Sequence, residues 1–416
     1  MKKAIALLLI LALLLGGCSR QEAHIEEETA PPPLETEAEE NTPPVAIPAP
    51  WENAEVADFS IRLLRESMKE GKNTLISPVS VLAALSMTAN GADGETLRQM
   101  EQVLGGDIAS LNGYLGEYPA LLNDQIHMAN ALWIKDTPTL EVKDSFLQAN
   151  ADYYGAGAFR APFDSSTVKE INGWVEEHTD GQIQDMLDRI PEDAVMYLVN
   201  ALAFEAEWEE VYEPYQVHDS RFTTESGEER TVSMMYSTEH AFLETDNATG
   251  FLKYYDGARY AFAALLPQEG ITMEALVHSL DAETLHKALP KPRELIVHAG
   301  MPKFETEYDT ELGEVLISMG MEDAFDSRIA DFSRLGSTND GTMLCIGRVL
   351  HKARITVAEE GTKAGAATMV EMLAEGAAEI QEETRTVTLD RPFLYMIVDT
   401  ELMEPVFIGV MADPGA

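Results

Sequence analysis

The order of periodic segments constrains this chain more than any single motif does. Apolar residues at helical spacing dominate the first third. ENAEVADFSIRLLRESMKEG (52–71) places Val56, Phe59, Leu63 and Leu64 on one face. SPVSVLAALSMTAN (77–90) offers Ser77 as N-cap and Pro78 at the first helical position, then runs almost wholly apolar, as a buried helix does. GETLRQMEQVLGG, DIASLNGYLGEY, KDSFLQANADYYG and INGWVEEHTDGQIQDML (171–187) read as further helices. Strand-like runs then take over: IHMANALWI, AVMYLVNALAFEAEW (194–208), RYAFAALLP, RELIVHAGMPKFETEY, ARITVAEE (353–360), FLYMIVD and PVFIGVMA. Helices first and strands later, without regular alternation, predict an α+β fold and not a doubly wound parallel sheet.

The N-terminus reads as an export signal. Met1, Lys2 and Lys3 precede an apolar run, Ala4–Leu15, too short to span a bilayer comfortably. The run ends in Leu15-Gly16-Gly17-Cys18, which resembles the lipobox of bacterial lipoproteins. On that reading residues 1–17 are removed and Cys18 carries a lipid. Residues 18–50 are rich in Glu, Pro and Thr with little aliphatic content, so they cannot bury enough surface to order themselves. They read as a tether, and residues 51–416 as the folded domain. With Cys18 acylated only Cys345 remains, so no intramolecular disulfide is expected.

Known chemistries find no foothold. The sequence holds no GxSxG elbow, HExxH, Walker loop, CxxC pair or EF-hand loop, and its nine histidines do not cluster at ligand spacing. Cys345 and His351 lie six apart in LCIGRVLHK, but Met343, Leu344 and Ile346 around the thiol predict a buried, inert cysteine. No cofactor, no metal and no enzymatic activity are expected. A net charge of −43, from 72 acidic and 29 basic residues, disfavours nucleic acid and anionic membrane surfaces as partners.

Seven stretches, in order, resemble the serpin family, and together they span about residues 52–414. They are NTLISPVSVLAALSMTANGADGETLRQM, INGWVEEHTDGQI, LVNALAFEAEW, MPKFETEYDTELGEVLISMGMEDAFD, ADFSRL, HKARITVAEEGTKAGAAT and DRPFLYMIV. The resemblance implies a serpin fold of three sheets and about nine helices. ARITVAEE and AVMYLVNALAFEAEW would flank a slot in the main sheet, and an exposed reactive-centre loop would occupy about 361–385. It implies inhibition of serine or cysteine endopeptidases by sacrifice: the protease cleaves the loop, stays attached as an acyl-enzyme, and is trapped as the loop inserts as a new strand. It further implies a loop hinge over Glu359, Glu360, Gly361, Thr362, Lys363, Ala364, Gly365, Ala366, Ala367 and Thr368. Ser77, Ser80, Asn200 and His351 match a sheet-opening cluster in which His351 bonds Asn200. Trp208 and the pair Lys303–Glu359 match the base of the loop. Family spacing places the scissile bond at Glu375–Gly376, with Met372, Leu373 and Ala374 as alternatives, so the target is elastase-like, subtilisin-like or Glu-specific. The stretch 107–125 contains no Lys or Arg, so no glycosaminoglycan partner is expected, and the protein is expected to be a monomer.

The hinge can be examined physically. A strand inserted into a sheet buries alternate side chains. From Thr362 that parity runs Thr362, Ala364, Ala366, Thr368, Val370, Met372, Ala374, with no charge. Every charge falls on the other parity, at Lys363, Glu371 and Glu375. An exposed amphipathic helix fits the same residues, so local pattern leaves both open. Lys363 stands where the family usually has glutamate, Gly365 where it has alanine, and the span from Gly361 to Pro392 is longer than in many members. Burial of small side chains at ~1 kcal/mol each and ladder bonds at ~0.5–1 each nearly cancel the ~1–2 kcal/mol per residue needed to order the strand. The driving force is therefore expected to lie in the sheet.

Overall fold

The computed structural model describes residues 50–289, 293–362 and 383–415. The signal segment, Cys18 and nearly all of the tether (residues 1–49), together with Lys363–Thr368 and Met372–Gly376, lie outside the described residues.

The chain opens with α1 (Pro50–Ser67), β1 (Thr74–Ile76), α2 (Pro78–Ala89), α3 (Gly94–Leu104) and α4 (Ile108–Leu121). Then come β2 (Ile126–Lys135), β3 (Leu140–Val142), α5 (Asp144–Tyr154), β4 (Gly157–Ala161), α6 (Ser165–His178), β5 (Met196–Phe204) and β6 (Ala206–Glu207). β7 (Val217–Thr223), β8 (Glu229–Glu244), β9 (Ala248–Tyr254) and β10 (Tyr260–Pro267) precede α7 (Met273–Ser279) and α8 (Ala282–Ala288). The chain continues through β11 (Arg293–Pro302), β12 (Phe304–Glu311), α9 (Gly313–Ser318), β13 (Gly336–Thr338), β14 (Leu350–Val357) and β15 (Gly361–Thr362). β16 (Thr384–Thr388), β17 (Phe393–Asp399) and β18 (Glu404–Met411) complete it. Nine α-helices are thus present among the described residues, mostly early, with strands concentrated later, as the α+β reading expects.

The apolar face predicted for the first helix is buried: Val56, Phe59, Leu63 and Leu64 all pack in the core. Aspartates start several helices by accepting from first-turn amides, as Asp107 does from Ala109 and Ser110. Ser77 is the residue before α2 with Pro78 at its start, but its hydroxyl makes no cap bond. The helix expected over 171–187 instead begins at Ser165 and stops at His178. Asp180 and Gly181 beyond it both take left-handed backbone conformations. The Asn172 side-chain amide then donates to Leu187 O and accepts from Leu187 N, both at 2.8 Å, tying the expected helical tail back beside α6.

Two large sheet systems form. One is nine-stranded: β1-β18-β17-β10-β9-β8 and β7-β8-β11-β16 share the sixteen-residue β8. The other is parted. On one side β4-β2-β5 form three strands, and on the other β12-β14-β15-β6 form four. β6 follows β5 after Glu205 alone, so one run of chain belongs to both parts. A minor pair, β13–β3, stands apart. The expected three sheets therefore correspond to the parted sheet and to the two portions that share β8.

The parting is the feature that matters. Among the described residues β5 pairs along its length only with β2, and β14 pairs with β12 but meets β15 at Val357 alone. Between them lies a cleft with a volume of about 450 Å³, lined by Leu198, Val199, Leu350 and Ala353 from the two strands. Ile171 and Val175 of α6 also line it. ARITVAEE and AVMYLVNALAFEAEW do flank it, as the resemblance implied. Two strand edges thus face one gap, a geometry that favours a further strand between them.

Candidate functional site

β15 closes the head of the cleft. Gly361 pairs with Glu207, and Thr362 pairs with Ala206 on one side and Val357 on the other. Gly361 is required there: its φ is +154°, and a Cβ would lie 2.2 Å from Ala206 O and 2.7 Å from Glu207 Cα. Thr362 is 2 % exposed, and its Oγ1 is 2.6 Å from the Tyr255 hydroxyl. The inward parity read from the sequence thus begins at a residue that is buried here.

The backbone leading to β15 is held from behind. Trp208 Nε1 donates to Ala358 O at 2.8 Å, Trp208 N to Glu360 O at 2.9 Å, and Tyr212 N to Glu359 O at 2.9 Å. The Trp208 ring stacks on Tyr255 with centroids 4.3 Å apart and planes 14° from parallel. Lys303 Nζ lies within 2.8 Å of the Glu359 carboxylate. Partial burial opposes ionisation of Glu359, but the Lys303 hydrogen bond and charge, with a backbone hydrogen bond, together outweigh it and hold the carboxyl below its usual range. Trp208, Lys303, Glu359, Glu360, Gly361 and Thr362 therefore meet in one place.

Lower in the cleft, β14 alternates: His351, Ala353, Ile355 and Val357 point inward and Arg354 outward. Ser77, Ser80, Asn200 and His351 all line the cavity. The expected His351–Asn200 bond is absent, because β5 and β14 stand on opposite sides of the gap. His351 Nε2 instead accepts from Ser77 N at 3.2 Å, and Asn200 Nδ2 donates to Asn130 Oδ1 at 2.8 Å. Ser77 Oγ and Asn200 Oδ1 are buried without a hydrogen-bond partner. Burial pushes His351 down to about 4, so it is a neutral imidazole at physiological pH.

Asn130, Tyr212 and Tyr255 were not singled out from the sequence. For Asn130 a signal existed: β2 and β5 each carry Asn-Ala-Leu, and Asn130 pairs opposite Asn200 in register. For Tyr212 and Tyr255 none did, since their roles come from contacts across the fold. Cys345 corrects the expectation of burial. It is exposed, in a stretch without regular structure, where its apolar neighbours Leu344 and Ile346 turn to the core and leave the thiol outside. Residual burial and the nearby Asp193 and Asp326 raise its pKa, which disfavours the thiolate. No cluster of His, Cys, Asp and Glu among the described residues could hold a metal ion.

A family model described as "Serpin (serine protease inhibitor)" matches residues 54–414. The chain belongs to the serpin family. Serpins are in general inhibitors of proteases and not catalysts. An uncharacterized serpin-like protein of Thermococcus kodakarensis is 29 % identical over 100 % of this chain and 99 % of its own. Human alpha-1-antichymotrypsin is 31 % identical, with 86 % of each chain covered. The native-state crystal structure of the thermophilic serpin Tengpin superposes with a TM-score of 0.82 at 42 % identity, covering 89 % of this chain and 95 % of that one. The latent state of Tengpin gives 0.77. Human thyroxine-binding globulin complexed with thyroxine gives 0.76 at 27 % identity, over 88 % of this chain and 98 % of its own.

Proposed function

We propose that this serpin is a suicide-substrate inhibitor of serine or cysteine endopeptidases, held at a bacterial cell envelope by a lipid on Cys18. The observation that carries the inhibitory reading is the cleft between β5 and β14 that no strand of the described residues fills, with β15 docked at its head. Two residues of the loop's base occupy the first positions of a further strand. The residues that follow keep one parity free of charge, as burial of one face of an inserted strand demands. In this scheme cleavage frees the loop beyond Thr362, and pairing against the open edges of β5 and β14 draws it down the cleft. The attached acyl-enzyme is carried along and its active site distorted. No side chain of the serpin turns over. Bond cleavage at Glu375–Gly376 selects a Glu-specific protease; cleavage after Met372, Leu373 or Ala374 selects an elastase-like or subtilisin-like one.

The test incubates the protein with one protease of each specificity. An SDS-stable complex is expected with one of them, and the mass of the released C-terminal fragment locates the bond. Plain cleavage by all three without complex would overturn the inhibitory reading and favour a non-inhibitory binding serpin, as thyroxine-binding globulin's ligand illustrates. Metabolic labelling with a fatty acid, lost in Cys18→Ala, tests the anchor.

A further inference from the structure

β9 carries a lysine where a strand this deeply buried ordinarily carries an apolar residue. Lys253 is 3 % exposed, and Lys is almost never buried unless paired. Its Nζ donates to Glu239 Oε1 at 3.1 Å and to Glu210 O at 3.0 Å. It also lies 4.5 Å from the Tyr212 ring centroid and 5.5 Å from that of Trp208, the placement of a cation–π contact. Ser237 Oγ supports the counter-ion by donating to Glu239 Oε1 at 2.6 Å.

The contacts to Glu210 O and to the rings of Tyr212 and Trp208 converge on Trp208–Tyr212, and the bond to Glu239 anchors the ammonium on β8. After its bridge at Trp208 this segment has neither helix nor strand to hold it. Yet it is the segment whose amides and indole hold Ala358, Glu359 and Glu360. Alongside the bond from Glu209 N to Tyr254 O and the Tyr212 hydroxyl 3.3 Å from Ser237 Oγ, the ammonium ties this segment to the nine-stranded sheet on one side. On the other side that segment grips the base of the loop.

We propose that Lys253 is a positioning residue for the loop hinge, a buried cation that fixes Trp208 and Tyr212 and through them the docked backbone of Ala358–Thr362. Its consequence for inhibition rests on the trapping mechanism proposed above. With the hinge held, insertion starts from one fixed register between β6 and β14. With the hinge loose, insertion starts late, and hydrolysis of the acyl-enzyme competes.

The test compares Lys253→Met, which keeps the packing volume, with Lys253→Arg, which keeps the cation. Deuterium exchange is read at the amides of residues 208 and 212. Both amides are expected to exchange at least about tenfold faster in Lys253→Met and at the parental rate in Lys253→Arg. The number of serpin molecules consumed per trapped protease is expected to rise about twofold or more in Lys253→Met alone, since slower insertion competes with unchanged hydrolysis. Parental exchange at both amides in Lys253→Met, with only a lower melting temperature, would reduce Lys253 to packing and overturn the proposal. If Lys253→Met fails to fold, Tyr212→Leu removes one ring and leaves both charges, and parental exchange there overturns the proposal equally. If the parent traps no protease at all, the inhibitory reading fails while the exchange measurement still decides Lys253.

Discussion

Placing arginine at 362 sets the requirements of the fold against those of the trap. Thr362 is 2 % exposed, bonded to Tyr255 and flanked by Ala206 and Val357. An unpaired guanidinium confined there costs several kcal/mol. The native body has a cheaper response, which is to release β15. Release loses the Tyr255 bond and the ladder bonds of two residues, about 1 kcal/mol apiece. It recovers ~1–2 kcal/mol of backbone entropy per residue. The net loss is no more than about 2 kcal/mol, a few degrees in Tm for a chain of this size. The inserted strand has no such escape, because position 362 is its first buried residue and neighbours stand on both sides. Thr362→Arg is therefore expected to melt within a few degrees of the parent, yet be cleaved as a plain substrate without SDS-stable complex. Thr362→Val, which loses only the hydroxyl, should still trap. Parental trapping by Thr362→Arg would refute the assignment of Thr362 to the inward parity.

Gly361→Ala places a Cβ against backbone that cannot yield, so the hinge should leave the head of the sheet; faster exchange at the Thr362 amide checks this. Burial lowers His351 to about 4, so the folded state binds fewer protons than the unfolded one between pH 6.5 and 4. Its stabilisation is complete above pH 6.5 and is lost as pH falls towards 4, up to about 3 kcal/mol, and His351→Gln should flatten that acid limb of Tm. Glu404 has the opposite sign. Burial lifts it to about 8, although the Tyr114 hydroxyl, 2.6 Å from both carboxylate oxygens, works against the rise. Its contribution is complete below pH 4.5 and fades as pH rises through 8, so Glu404→Gln should raise stability at pH 9 by about 2–4 kcal/mol and leave it unchanged at pH 4.

Much of this was legible in the chain itself. Helices with a single apolar stripe, such as α1, and strands with continuous apolar runs, such as β10 and β17, announce themselves because burial imposes their period. β7 and β8 did not, since polar and apolar residues mix along both, and β9 did not, since threonine, glycine and the buried Lys253 interrupt its apolar run. The tail of α6 was overread as helix because GQIQDML has helical composition; two left-handed residues and the Asn172–Leu187 bonds, neither visible as periodicity, end the helix early. Cys345 was misplaced because apolar neighbours say nothing about which way one thiol in an irregular stretch will face.

The sequence by itself determined the class of fold and the apolar runs of its strands, patterns that a buried face imposes on consecutive residues. Its resemblance to the serpins, and not periodicity, assigned two of those strands to the borders of the cleft and the uncharged parity to the hinge. Only the tertiary structure decided that His351 and Asn200 stand apart with different partners, that Thr362 is already seated at the cleft's head, and that Lys253 lies behind the hinge. Those facts depend on groups brought together from distant parts of the chain, and no local period records which distant groups will meet.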